Sequence, residues 1–154
     1  MNIEIKKATR EDADELVKMY REIHDYHLPF DPLYSSSEDY ADEVGPMVEK
    51  DLEAEGNLIL IAKVDEKYAG FGIFKVVDRT HKSEKTGFIR KAFVRDEFRG
   101  KGLFKQIYSQ GETWLKEQGV NYLELSCDSN NDLGQKTWGA LGFEEVKKTM
   151  RKKI

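Results

Sequence analysis

The stretch Ala92-Phe93-Val94-Arg95-Asp96-Glu97-Phe98-Arg99-Gly100-Lys101-Gly102-Leu103-Phe104-Lys105-Gln106 decides how this chain is read. An apolar strand stops, two glycines fall in a tight turn, and a helix begins with Leu103, Phe104, Ile107, Gly111, Trp114 and Leu115 on one stripe. The first amides of a helix have no partner inside it and carry the positive end of its dipole, so they form an anion site. Glycine lets a phosphate approach the backbone closely, and Arg99, Lys101 and Lys105 add positive charge. A Gly-Lys-Gly turn before a helix also occurs as a plain turn, so both readings stand at this point. Two phosphate motifs are excluded: the G-x-x-x-x-G-K-[ST] spacing is absent, and Lys105 stands where G-x-G-x-x-G needs its third glycine.

Residues 87–94 upstream read as a fourth strand, and residues 103–118 as a helix closed by Gly119. Residues 122–127 then read as a strand, residues 130–141 as a short helix ended by Gly142, and residues 143–152 as a last strand. Towards the N-terminus, residues 3–8 alternate as a first strand. Thr9 is an N-cap with Asp12 in an acidic first turn, and Ala13, Leu16, Val17, Tyr20 and Ile23 share one helix face. Pro29 and Pro32 enforce a loop. Residues 38–53 are helical, with a break or kink expected at Gly45-Pro46. Residues 57–64 and 68–77 read as a hairpin turning at Asp65-Glu66-Lys67. The expected fold is α/β (α+β): one domain over residues 1–154, a mixed, mostly antiparallel twisted sheet with helices on both faces, and a parallel crossover from the fourth strand to the fifth.

The 154 residues fit one domain with a full core. A net charge of -4 gives no support for general nucleic-acid binding. No apolar run approaches a membrane span, and residues 1–7 lack the apolar core of a signal peptide. Cys127 is the single cysteine, which rules out an internal disulfide and argues against structural zinc. The expectation is a cytoplasmic protein without a metal site.

Over nearly its full length the chain resembles the GCN5-related N-acetyltransferase (GNAT) family. That family's Q/R-x-x-G-x-G/A turn is matched by Arg99 and Gly102, with Phe104 in the last position. Asn131, Gly142 and Phe143 match a second family-like element, the helix from Asn131 that ends in Gly142-Phe143. The resemblance implies acetyl-CoA as cosubstrate, its pyrophosphate on the turn amides of Arg99, Gly100, Lys101, Gly102, Leu103, Phe104 and Lys105. It implies a pantetheine arm along Phe93 and Val94, with Asn131 and Trp138 beside the cofactor. The Val94 backbone N–H would donate to the thioester carbonyl as an oxyanion-type donor. A small-molecule primary amine would then attack directly in a ternary complex. Similar proteins often form homodimers, although no residue here demonstrates one.

The chain departs from the family pattern at informative positions. Phe104 replaces a small residue and is expected to join the helix stripe. Trp138 stands where a proton-donating tyrosine is usual, and indole is no useful acid at neutral pH. The thiolate would then be protonated by water, Ser126 or Cys127. Arg90 stands where a base is common; four residues before Val94, it is expected on the face of Phe88 and Ala92. It cannot be a base, and it either anchors an acidic group of the acceptor or pairs with Glu124. His24, Tyr26, His27, Phe30, Asp31 and Tyr34 crowd the loop expected to close the acceptor pocket, either as substrate contacts (His27 and Tyr34 foremost) or as a core cap. His27 or Asp31 would supply the missing base. The acidic residues Glu38, Asp39, Asp42 and Glu43 could attract a polyamine or form a solvated face. The competing functions are a CoA-binding sensor without turnover and a protein N-terminal or lysine acetyltransferase.

Overall fold

The computed structural model describes residues 1–154. Five strands run β1 (Ile3–Lys7), β2 (Asn57–Val64), β3 (Lys67–Val77), β4 (Thr86–Val94) and β5 (Leu123–Leu125), hydrogen-bonded in that order. Among the first four each strand is antiparallel to its neighbour, and β5 joins β4 in parallel. The helices are α1 (Ala13–His27), α2 (Ser37–Glu53), α3 (Leu103–Glu117) and α4 (Asp132–Ala140).

Period-two alternation sorts the sheet's side chains into two cores. Ile59, Ile61, Phe71, Ile73 and Phe93 pack under Leu16, Met19, Tyr20 and Ile23 of α1 and Val44 and Val48 of α2. Leu58, Leu60, Ala62, Phe74, Ile89 and Val94 pack under Leu103, Ile107 and Leu115 of α3. Gly111 lets α3 settle onto the sheet, because a Cβ there would lie 2.2 Å from the Phe74 ring. Asp12, 1% exposed, ties α1 to the sheet. It accepts from the Thr9 amide at 2.8 Å, from Lys6 Nζ at 2.9 and 3.0 Å, and from the Tyr68 hydroxyl at 2.8 Å. Burial pushes its carboxyl up, but these donors outweigh that and hold it below its ordinary value.

Three sequence expectations are corrected. Gly45-Pro46 does not break α2. Pro46 is exposed, so the carbonyl it leaves unbonded faces water, while Val44, Val48 and Asp51 bury the helix on both sides of it. β5 is only Leu123–Leu125, shorter than expected. Residues 143–152 form no strand. Their apolar members, Phe143, Val146 and Met150, recur every three or four residues rather than every two, so no single strand face could be buried. Val146 and Met150 are exposed, and Arg151 instead bonds both Asp31 oxygens at 2.8 Å. No helix is long and apolar enough to cross a membrane.

Candidate active site

The quoted turn has the geometry of an anion cradle. A short 3-10 turn (Asp96–Phe98) leads to Gly100 and Gly102 at φ 75° and 74°, the left-handed region that favours glycine, and α3 starts at Leu103. Nothing lies within 4 Å of where a Cβ would stand on either glycine, so the backbone is open to a ligand. A cavity of about 260 Å³ lies against Val94, Phe98, Arg99, Gly100, Gly102, Leu103, Phe104 and Lys105. The Lys101 ammonium lies over the Phe98 ring, 5.6 Å from its centroid. Arg99 braces the turn: its Nε donates to the Val94 carbonyl at 2.9 Å, and Nη1 pairs with Asp96 at 2.7 Å.

A β-bulge in β4 sets the orientation of Val94. Lys91 pairs with Ile73 and Ile89 with Phe74, so Arg90 is an extra residue without a cross-strand partner. The bulge inverts the alternation: Ile89 lies in the α3 core, yet Phe93 lies in the α1–α2 core. Ahead of it the Gly87 amide donates to Tyr122 O, towards β5. Beyond it the Arg95 amide donates to Ala69 O, towards β3. The Val94 amide, one residue back, therefore faces the β5 side. β5 pairing ends at Ile89–Leu125, so beyond that point the two parallel strands part and the Val94 N–H opens into the gap.

The bulge also corrects the placing of Arg90. Arg90 and Lys91 both lean towards α1 and α2, while Ala92 packs in the opposite core. Arg90 pairs with Asp51 rather than Glu124, and Glu124 instead meets Arg79 at 3.4 Å.

The gap continues into a cavity of about 630 Å³. One side is lined by His24, Tyr26, His27, Tyr34, Tyr40, Arg90 and Lys91, and the rest of the lining includes Phe93, Val94, Arg99, Phe104, Asn131 and Trp138, with Ser126, Cys127 and Asp128. His24 is held as a structural piece. It stacks on Tyr40 at 3.8 Å, and its Nε2 donates to the Ser35 carbonyl at 2.8 Å. The His27 ring meets Tyr26 at 5.4 Å and Phe30 at 5.9 Å. Burial lowers its basicity, Asp128 partly offsets this, and Lys91 and His24 lower it further, so at neutral pH the imidazole is uncharged. Tyr34 donates to Asp128 at 2.9 Å; burial and that carboxylate push the phenol up to about 12. Asp31 is no base, because Arg151 and the Leu33 amide hold it down at about 2.

Asn131 caps α4, accepting from the Gly134 amide at 2.9 Å. Phe104 does more than extend its own helix stripe. It meets Trp138 edge-on at 5.3 Å, and Trp138 meets Phe143 at 5.6 Å. The two departures from the family pattern are thus one packing unit that joins α3 to α4. Burial, with Asp128 beside it, raises the Cys127 thiol, which stays protonated.

Sequence reasoning missed Lys91, Asp51 and Asp128. Two adjacent cations inside an apolar strand break its alternation, and that was the available sign of the bulge. The Asp51–Arg90 and Asp128–Tyr34 contacts join residues 39 and 94 positions apart and left no local signal.

A turn of amides at a helix start, an outward strand amide and a gap between parting parallel strands agree with the comparisons. The model of the acetyltransferase (GNAT) family matches residues 15–143. The chain belongs to the GNAT family. An uncharacterised N-acetyltransferase of Archaeoglobus fulgidus is 24% identical over 134 residues, 84% of each chain. An aminoglycoside N(6')-acetyltransferase type 1 of Salmonella typhimurium is 30% identical over 63 residues, 41% of this chain and 43% of that one. A Bacillus halodurans protein, crystallised as a mutant, has the same fold at TM-score 0.85 and 23% identity, covering 98% of this chain and 99% of its own. An aminoglycoside N-acetyltransferase solved in complex with CoA follows at TM-score 0.78 and 20% identity, covering 99% and 95%.

Proposed function

We propose that this protein transfers the acetyl group of acetyl-CoA to a primary amine of a small molecule by direct attack in a ternary complex. The observation that carries this reading is the Val94 amide, turned by the Arg90 bulge into a gap that links the open turn at Gly100–Gly102 to the His27 side of the cavity. Acetyl-CoA supplies an activated thioester.

The residues of the turn fit its phosphates. The amides of Gly100, Gly102, Leu103, Phe104 and Lys105 donate at the positive end of α3, and the Lys105 ammonium adds charge. Arg99 holds the turn by its backbone contact and leaves phosphate binding mainly to these amides. Phe93 and Val94 offer the strand edge to the pantetheine arm. Trp138 and Phe104 form its apolar wall, and Asn131 holds α4 at the margin. The Val94 N–H hydrogen-bonds the thioester carbonyl and stabilises the charge that grows there; removing one such donor typically costs about a hundredfold or more in rate.

His27 is neutral and has no hydrogen-bond partner, so it takes the proton the amine loses as its nitrogen bonds the carbonyl carbon. The carbon–sulfur bond breaks, and the departing thiolate is protonated by water or by Ser126. Initial rates over a grid of acetyl-CoA and amine concentrations test this order. Intersecting double-reciprocal lines are expected; parallel lines would mean an acetylated enzyme and would refute direct attack.

A further inference from the structure

Arg90 and Lys91 are neighbours in the bulge and both line the cavity with His27, on the side where the proposed reaction places the acceptor. Their charges are compensated very differently. Arg90 pairs with one Asp51 oxygen, and the other accepts from the Tyr20 hydroxyl at 2.7 Å, so each oxygen of this carboxylate already has a partner. Lys91 has no carboxylate within ion-pair distance. Its Nζ lies over the Tyr20 ring, 5.3 Å from the centroid. The other groups around it are the Arg90 cation, which opposes it, the Asp51 carboxylate, which favours it from beyond ion-pair distance and is shared with Arg90, and His27 across the cavity. The one carboxylate on the far wall, Asp128, is engaged by Tyr34.

The fold does not call for an ammonium here. A Met or Leu stem would cover the Tyr20 ring as well and would leave no charge to solvate. A partly buried cation that has a ring face beneath it and no carboxylate in ion-pair contact gains most from an anion brought in by a ligand. We propose that the acceptor is an amine that also carries an oxyacid group, and that Lys91 binds that group while His27 faces the amine. This rests on the acetyl-transfer reading above and narrows its substrate class. It moves the anchoring role first considered for Arg90 to the adjacent residue, because Asp51 already satisfies Arg90. It also separates this chain from enzymes that act on polycationic aminoglycosides, whose ammonium groups Lys91 would repel.

The test uses a ladder of ω-amino acids of increasing length, their carboxamides, the matching aminoalkyl phosphates and one aminoglycoside. Each is titrated calorimetrically against the CoA-loaded protein and assayed as acceptor with acetyl-CoA. A charge-assisted contact predicts that acids of the fitting length bind about ten- to a hundredfold more tightly than their amides, with the advantage in KM and shrinking as salt is added. The carboxylate and phosphate arms distinguish the two forms of the oxyacid. In K91M the acid and its amide become equal, and K91R restores the preference. Equal binding of acids and amides by the wild-type protein, preference for the aminoglycoside, or a preference that survives in K91M would each overturn the proposal. The wild-type comparison needs no variant to fold. If the acids bind preferentially yet no amine is acetylated, the anion site stands and the acetyl-transfer reading falls.

Discussion

Substituting Gly111 by alanine sets two opposed effects against each other, and the structure says which wins. In an unencumbered helix the change stabilises by about 0.5–1 kcal/mol, because glycine loses more backbone entropy on folding. At Gly111 the new methyl carbon would stand 2.2 Å from Cε1 and Cζ of Phe74 and 2.4 Å from Cε2. Carbon atoms rest about 3.5–4.0 Å apart, so the helix and the ring must separate by more than an ångström. Phe74 is 1% exposed and flanked by Ile107 and Gly72, so the ring has nowhere to go and α3 must lift from the sheet. Such overpacking costs about 1–3 kcal/mol. Taking the upper figure for a contact this short, and subtracting the helix gain, leaves a net loss of about 2 kcal/mol, or roughly 4–8 °C in Tm for a chain of this size. Because α3 carries the turn amides, CoA affinity should fall as well. Urea unfolding followed by far-UV circular dichroism measures the stability, and G139A in α4 is the control. No atom lies within 4 Å of a Cβ at Gly139, so that change should be neutral or stabilising by a few tenths of a kcal/mol. G111A as stable as wild type would refute the close seating of α3 on Phe74.

His27→Gln should lower kcat by about a hundredfold or more; kcat/KM of the wild type should rise with pH along a limb set below the ordinary histidine value of about 6.5, and that limb should vanish in the variant. Asp12→Ala should cost about 3 kcal/mol, since it strands Lys6, Tyr68 and the Thr9 amide together. Because the folded Asp12 carboxyl is more acidic than the unfolded one, its contribution is complete above the unfolded value of about 3.9 and is lost as pH falls through the folded value. The difference in urea midpoint between wild type and Asp12→Ala should therefore narrow in acid. Asn131→Ala removes the α4 cap and should cost about 1 kcal/mol, with weaker CoA binding because the helix bearing Trp138 loosens; CoA titration and thermal melts check both.

Much of this molecule could be read from local pattern. The buried run of β2, the amphipathic stripes of α1 and α3, and the strand, glycine turn and helix around Gly100 and Gly102 each follow from rules that act within a few residues. What sequence alone did not show depends on distant partners. For Arg90 the sequence offered a substrate anion or Glu124 as partner, because Asp51, 39 residues away, gives no local sign of its presence. The parity of β4 was misjudged because one extra residue inverts every face beyond it. Phe104 was expected on its own helix stripe and Trp138 was read separately from it, and only their edge-on contact shows that the two pack together. Residues 143–152 carried enough apolar character to suggest a strand, yet their spacing gives no single buried face.

The most direct test of the central claim is to incubate the purified protein with acetyl-CoA and a mixed library of small primary amines, measuring free thiol and N-acetylated product together. The account predicts thiol release that depends on the amine, with one CoA thiol formed for each N-acetyl product. Tight CoA binding with no thiol above the protein-free background, for any amine in the library, would contradict it and leave the cavity as a CoA-binding module without turnover.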